Sequence, residues 1–64
     1  MPTIHVELFE GRTKEQKADL ARELTQACCR VLGSKPEGVD VIFVDVRKEN
    51  WASGGVLWSE RSAT

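Results

Sequence analysis

Residues 13–33 read TKEQKADLARELTQACCRVLG, and this stretch decides the fold because it predicts one long amphipathic helix. Thr13 and Gln16 have the spacing of a capping box, in which each side chain accepts a hydrogen bond from a free backbone N–H of the first turn. Gly33 suits the position just after the last helical residue. Apolar residues recur at helical intervals over 14–32, so one face of the helix should pack against another element. The residues of this stripe are Leu20, Ala21, Leu24, Ala27, Cys28, Val31 and Leu32.

Two apolar segments flank the predicted helix. Residues 3–9 alternate as a strand does, and residues 39–46 are β-branched and nearly continuous, which favours a strand buried on both faces. Two strands joined by a long helix form a βαβ unit, with parallel strands and a right-handed crossover. We therefore expect a small α/β fold and a single domain over residues 1–64. The residues expected on the inner face of the first strand are Ile4, Val6 and Leu8.

The remainder of the chain predicts a hairpin and an uncovered sheet face. Residues 54–55 are both glycine and lie between Trp51 and Trp58, a pattern typical of a tight turn before a last short strand. One helix can cover only one face of a two-stranded sheet, which leaves the other face, with Phe9 and Phe43 among its candidates, without cover. A chain of 64 residues also buries little surface alone. We expect an obligate oligomer with a largely apolar interface.

Composition excludes several kinds of protein. The net charge is −1 with interspersed signs, which argues against a nucleic-acid partner. Charged residues interrupt the first fifteen positions, so we expect neither a signal peptide nor a membrane span. Cys28 and Cys29 are adjacent and cannot staple distant segments, and a single His gives no zinc site. Two unpaired cysteines fit a reducing cytoplasm.

Pro2 is the first candidate for chemistry. A small residue after Met1 normally allows an aminopeptidase to remove the methionine, which leaves proline as a terminal secondary amine. An α-amino group has a pKa of about 7.7–8.0, and desolvation or nearby cations lower it towards the range of a general base at neutral pH. Many chains begin with Met-Pro without any such role, so the hypothesis needs a second group.

Arg12 is that second group, and its position predicts a shared site. It lies just past the first strand, which spans about 23 Å from end to end. Pro2 and Arg12 of one chain are therefore too far apart to hold one small substrate. If the first strand pairs antiparallel with its copy in a neighbouring subunit, Arg12 of one chain lies beside Pro2 of the next.

These features together resemble the 4-oxalocrotonate tautomerase family. Pro2 follows Met1 directly, a short strand comes next, and residues 8–17 read LFEGRTKEQK, close to the family pattern L-x-EGR-[ST]-x-EQK. Trp51 stands where the family has an aromatic residue, and the paired glycines fit its C-terminal half. The match covers essentially the whole chain, and it implies the tautomerase/MIF-type β-α-β fold.

The resemblance also implies an activity, an assembly and roles for three residues. Members are cofactor-free isomerases of aromatic-compound catabolism, commonly homohexamers built as trimers of dimers, although trimers and heterohexamers occur. A terminal proline, here Pro2, moves a proton between an enol oxygen and a carbon of an unsaturated 2-oxo acid. Arg12 would bind a substrate carboxylate through two parallel N–H donors. Trp51 would make the pocket apolar and so lower the pKa of the proline amine.

One position departs from the family and leaves three interpretations open. Well-known members carry a second substrate-binding arginine where this chain has Asp40, and a carboxylate there would repel a developing dienolate. Arg47 is a tentative replacement, although a solvated surface arginine is the simpler interpretation. The chain could be a tautomerase, or a 3-chloroacrylate dehalogenase or hydratase in which Asp40 activates water. It could also be an accessory subunit that needs a partner chain to supply the missing arginine.

Overall fold

The computed structural model describes residues 2–61 and confirms the predicted α/β fold. Strand β1 spans Thr3–Phe9, helix α1 spans Lys14–Leu32, and strand β2 spans Asp40–Val46. A hairpin of two short strands follows, β3 at Ala52–Ser53 and β4 at Val56–Leu57. Short 3-10 turns lie at Pro36–Gly38, Lys48–Asn50 and Trp58–Glu60. Strand β2 begins one residue later than predicted, because the Val39 N–H donates to the Pro36 carbonyl (3.2 Å) and closes the turn before the strand.

Helix α1 has the predicted bounds because both of its ends are capped as expected. The Gln16 N–H donates to the Thr13 hydroxyl and the Thr13 N–H donates to the Gln16 side-chain oxygen, each at 3.0 Å. At the other end Gly33 adopts φ 73°, and its N–H donates to the Cys29 carbonyl at 3.1 Å. Glycine adopts this left-handed conformation without the steric cost that a side chain brings.

The two long strands are parallel, as predicted, with Thr3 opposite Asp40 and Phe9 opposite Val46. Val6 faces the helix and lies opposite Phe43, and neighbouring residues of adjacent strands share a face. Phe43 therefore packs beneath the helix, and the prediction that it lies on the uncovered face is wrong. The nearly continuous apolar run of β2 gives no alternation from which its faces can be assigned, so only the pairing register determines them.

The face of the sheet opposite the helix is open in the protomer. Ile42 and Val44 are 45% and 41% exposed there, so within the protomer β2 is covered on one face, as expected for a sheet with a single helix. The last helical turn is open too, and Val31, expected on the buried stripe, is 73% exposed. A helix of 19 residues is about 28 Å long, whereas a seven-residue strand spans about 23 Å, so the end of the helix extends past the sheet.

The protomer is more extended than a monomer of its size. Its radius of gyration is 14.9 Å, against about 11 Å for a compact 64-residue domain. Its accessible surface is 5061 Å², against about 4,100 Å² for a folded monomer of this mass. Among residues 2–61 no apolar side chain is fully buried. The chain therefore presents apolar surface that it does not cover itself.

The predicted hairpin forms between residues 52 and 57. Gly54 and Gly55 adopt φ values of 61° and 81°, and two consecutive left-handed residues are what a tight two-residue hairpin turn requires. Beyond the hairpin, the Trp58 N–H donates to the Trp51 carbonyl at 2.8 Å. This bond brings the two tryptophans to the same end of the molecule. None of the helices within the described range is long and apolar enough to cross a membrane.

Candidate active site

Pro2 and Asp40 lie together at the start of the two parallel strands. The Asp40 backbone N–H donates to the Pro2 carbonyl at 3.0 Å, and the next pair in the register is Thr3 with Asp40. Pro2 is half-buried and Asp40 is exposed. Met1, whose removal we predict, lies outside the described residues. Asp40, at the position where the resemblance implies a second arginine, is thus a direct neighbour of Pro2 in the sheet.

Arg12 lies at the opposite end of β1 and is one of the residues that line a cavity. The chain leaves β1 through a turn in which Gly11 has φ 110°, and Arg12 follows immediately before the helix cap. The cavity between sheet and helix has a volume of about 220 Å³. Four apolar and three polar side chains line it: Val6, Leu8, Leu20 and Phe43, with Arg12, Gln16 and Lys17. A guanidinium above an apolar recess can hold the carboxylate of a small organic acid.

Trp51 lies at the same end of the sheet as Arg12 and is held in an aromatic cluster. Its ring packs on Phe9 with 4.8 Å between centroids and an interplanar angle of 52°. Trp58 also packs on Phe9, with 5.4 Å between ring centroids, and its indole N–H donates to the Ser53 hydroxyl at 3.1 Å. The Arg61 guanidinium lies 4.6 Å from the centre of the Trp58 ring. The cluster gives Trp51 a defined position through contacts from β1 and from the hairpin.

Arg47 directly follows β2 and lies on the surface. Its guanidinium pairs with the Glu49 carboxylate at 3.0 Å, and both side chains are exposed. A substrate carboxylate would have to compete with this intramolecular partner. An exposed ion pair is worth only about 0–1 kcal/mol, so the role of Arg47 stays a prediction.

The candidates thus form two groups that one protomer keeps apart. Pro2 and Asp40 mark the start of the sheet, whereas Arg12, Arg47 and Trp51 lie at its far end. The seven-residue strand between Pro2 and Arg12 spans about 23 Å. A small acid cannot contact both ends of one protomer.

Two features of the far end were not found from the sequence. Lys17, which lines the cavity, pairs with Asp45 at 2.9 Å and so joins the first turn of the helix to β2. These two residues are 28 positions apart in the sequence, so no short sequence pattern predicts that they pair. The sequence predicts that Phe9 lies on the open face, but it does not predict the contacts of Phe9 with Trp51 and Trp58. Those contacts depend on the path of the hairpin.

The two cysteines are neighbours on helix α1. Cys28, expected in the core, and Cys29 are both half-buried and reduced. Within residues 2–61 no group of three or more His, Cys, Asp or Glu side chains is arranged to hold a metal ion.

Comparison with known proteins places this geometry in a family. A family model described as "Tautomerase enzyme" matches residues 2–61. A probable tautomerase of Staphylococcus epidermidis, SERP0934, is 41% identical over 61 residues, which cover 95% of this chain and 100% of that protein. A solved 4-oxalocrotonate tautomerase homologue, TTHB242, is 44% identical, with a TM-score of 0.87 over 98% of this chain and 100% of that one.

A third relative is a heterohexamer 4-oxalocrotonate tautomerase from Chloroflexus aurantiacus. It is 33% identical, with a TM-score of 0.87 over 94% of this chain and 97% of its own. The sequence matches span nearly the full length of both partners, and the structural likeness includes the parallel β1–β2 pair and the single helix. The chain described here therefore belongs to the tautomerase family.

Proposed function

We propose that this chain is a cofactor-free isomerase that interconverts the enol and keto forms of unsaturated 2-oxo acids. Pro2, once Met1 is removed, takes the proton from the enol oxygen and returns one to a carbon of the substrate. Arg12 binds the substrate carboxylate, and Trp51 keeps the pocket apolar. The observation that carries the proposal is the placement of Pro2 and Arg12 at opposite ends of an open-edged two-stranded sheet.

The site forms between two protomers in this proposal. Strand β1 pairs with β2 along one edge only, so its other edge is free to add a strand. In an antiparallel pair of β1 strands, the start of one strand lies beside the end of the other. Pro2 of one protomer then approaches Arg12 and Trp51 of its partner, and the substrate spans the interface.

Each residue has a defined task at such a site. The arginine fork fixes the carboxylate end of the substrate and so orients the enol towards the proline. An apolar wall disfavours the charged form of an amine, which keeps the pKa of the proline nitrogen low enough for it to accept a proton at neutral pH. Trp51 is suited to this task because Phe9 and Trp58 hold its ring in place.

Subunit mixing tests the shared site. Pro2→Ala and Arg12→Ala are each expected to lose enol-to-keto conversion of phenylpyruvate or 2-hydroxymuconate, followed by ultraviolet absorbance. A mixture of the two variants, unfolded and reassembled together, should regain activity at about a quarter of its sites, because a mixed pair has one interface with both residues intact.

Two results would contradict the proposal. If both residues act within one protomer, the reassembled mixture stays as inactive as its components. Undiminished activity in a preparation whose intact mass shows that Met1 is retained would exclude Pro2 as the base, since an amide nitrogen is not basic.

The position of Asp40 supports a second candidate function on the same fold. Asp40 is exposed, its backbone N–H donates to the Pro2 carbonyl, and its carboxylate makes no ion pair within residues 2–61. In this alternative Asp40 activates water, which adds to carbon 3 of 3-chloroacrylate while Pro2 protonates carbon 2. The adduct then loses chloride and a proton to give the aldehyde. Release of chloride from chloroacrylate by the purified protein distinguishes this reaction from tautomerisation.

The assembly is part of the proposal. We expect a homohexamer, a trimer of dimers, in the cytoplasm. A heterohexamer is the alternative, in which this chain would be the accessory subunit and a second chain would supply the missing arginine. The heterohexamer relative supports that alternative. Light scattering on the chain purified alone, together with its activity, decides between the two assemblies.

A further inference from the structure

His5 and Glu7 are two exposed polar residues on the strand that has a free edge. Both lie on β1, and both belong to the open face of the sheet, because His5 lies opposite Ile42 and Glu7 opposite Val44. Neither side chain makes an ion pair or a hydrogen bond with any residue from 2 to 61. An imidazole N–H donates and a carboxylate accepts, so each side chain suits the other as a partner.

The length of β1 favours one register for a pair of β1 strands. The strand has seven residues, Thr3–Phe9, and pairs with β2 along one edge only. In an antiparallel pair with two-fold symmetry, every contact between the two strands occurs twice. Only the register centred on Val6 pairs all seven residues. A register centred on Glu7 leaves residues 3 and 4 without a strand partner, and one centred on His5 leaves residues 8 and 9.

The register centred on Val6 also satisfies the two polar side chains. His5 then lies directly opposite Glu7 of the partner subunit, and the same pair recurs on the other side of the axis. Side chains directly opposite each other have Cβ atoms about 4.5–5.5 Å apart, which allows an imidazole to donate to a carboxylate. A pair centred on Glu7 would instead set two carboxylates opposite each other, and like charges in that position are destabilising. Strand length and charge therefore favour the same register.

We infer that the free edge of β1 binds a second copy of this chain, and that two reciprocal pairs between His5 and Glu7 fix the register of the two strands. The inference rests on the proposed site between protomers, and it deepens that proposal because it names the residues that align the two halves of the site.

The register determines which residues meet at each end of the strand pair. Thr3 of one protomer lies opposite Phe9 of the other, so Pro2 lies beside the turn that carries Arg12 of the partner subunit. Phe9 is also the residue on which Trp51 packs, with 4.8 Å between ring centroids. The proposed base, arginine and aromatic wall thus come to the same end of the pair.

Two charge variants and their mixture test the reciprocal pairs. His5→Glu sets two carboxylates opposite each other, and Glu7→Lys sets an ammonium opposite His5. Each variant alone should dissociate at about tenfold higher protein concentration than wild type, measured by light scattering after size exclusion. An equimolar mixture, unfolded and reassembled together, should associate as tightly as wild type, because opposite charges then meet at both positions. A mixture that stays as weak as its components overturns the inference.

Glu23→Lys is the matched control for charge. It makes the same change as Glu7→Lys at an exposed position of helix α1. Reassembly of Glu23→Lys with His5→Glu should not restore association. Restoration by this control would mean that net charge, rather than a pair across the strands, decides assembly, and would overturn the inference.

A crystal structure of the wild-type assembly tests the register without any variant. The His5 imidazole should lie within about 4 Å of the Glu7 carboxylate of the partner subunit. A different register, or a different segment on the free edge of β1, overturns the inference. Neither experiment measures activity, so if wild type converts no enol the proposed function fails while the register is still decided.

Discussion

Arg12 is the residue whose chemistry is most narrowly defined by its surroundings. It lines a cavity together with apolar side chains, and it has no ion-pair partner within residues 2–61. The N–H donors of the Arg12 guanidinium are therefore available to bind a ligand. A carboxylate ligand is the group that satisfies them best.

Arg12→Ala should therefore weaken the use of carboxylate substrates without unfolding the protein. Loss of hydrogen bonds to a charged group costs about 1.5–3 kcal/mol, or about ten- to a hundredfold in kcat/KM. Arg22→Ala is the matched control, because Arg22 is an exposed helix arginine away from this cavity. An unchanged kcat/KM for Arg12→Ala would remove this residue from the site.

Asp40 is the residue that separates the proposed functions. Asp40→Arg places a cation where the family has its second arginine, next to Pro2 in the sheet. Activity towards the dicarboxylate 2-hydroxymuconate should rise. The acid limb of the kcat/KM profile should move to lower pH, because a nearby cation lowers the pKa of the proline amine.

Asp40→Asn is the control for this substitution, since it removes the negative charge without adding donors. If Asp40 activates water, both substitutions should instead abolish dehalogenase or hydratase activity. If neither substitution changes any of these activities, Asp40 is a structural residue.

At the scale of elements, the capped start of α1 positions Arg12. The turn at Gly11 and the reciprocal bonds between Thr13 and Gln16 fix the backbone on both sides of the arginine. Thr13→Ala should lower the free energy of unfolding by about 1 kcal/mol, because the first turn loses a hydrogen-bond partner for one of its N–H groups. Urea unfolding at one fixed protein concentration measures this.

Thr13→Ser keeps the hydroxyl and should stay close to wild type in the same measurement. Equal losses in both variants would mean that the threonine methyl group, rather than the cap, stabilises this end of the helix.

The hairpin has its own part in the site. Two consecutive left-handed glycines return the chain to the end of β1, where Trp51 and Trp58 both pack on Phe9. The hydrogen bond from Trp58 to Ser53 and the contact of Arg61 with the Trp58 ring hold this arrangement. An aromatic ring fixed in this way can form a rigid wall of a pocket.

At the scale of the whole molecule, the open face of the sheet is the main feature. Ile42→Asp places a charge at the centre of this face and should dissociate the oligomer, with loss of activity, because an unpaired charge is costly to bury. Light scattering after size exclusion measures the mass.

Lys35→Asp puts the same carboxylate on an exposed loop and should leave the assembly intact. A fully assembled Ile42→Asp protein would show that this face is not the interface.

The sequence by itself determined the elements and the candidate residues. Local signals define them: the cap at Thr13, the helical stripe, the glycine after the helix and the paired glycines of the hairpin all act within a few residues of the chain. The motif around Arg12 and the proline at position 2 likewise need no distant partner to be recognised.

The tertiary structure decided which side chains meet. The register of β1 on β2 placed Phe43 under the helix and Asp40 beside Pro2. The packing of α1 brought Lys17 to Asp45, and the hairpin brought Trp51 to Phe9. These contacts join residues far apart in sequence, and a shift of one residue in the register would turn every side chain of β2 to the other face.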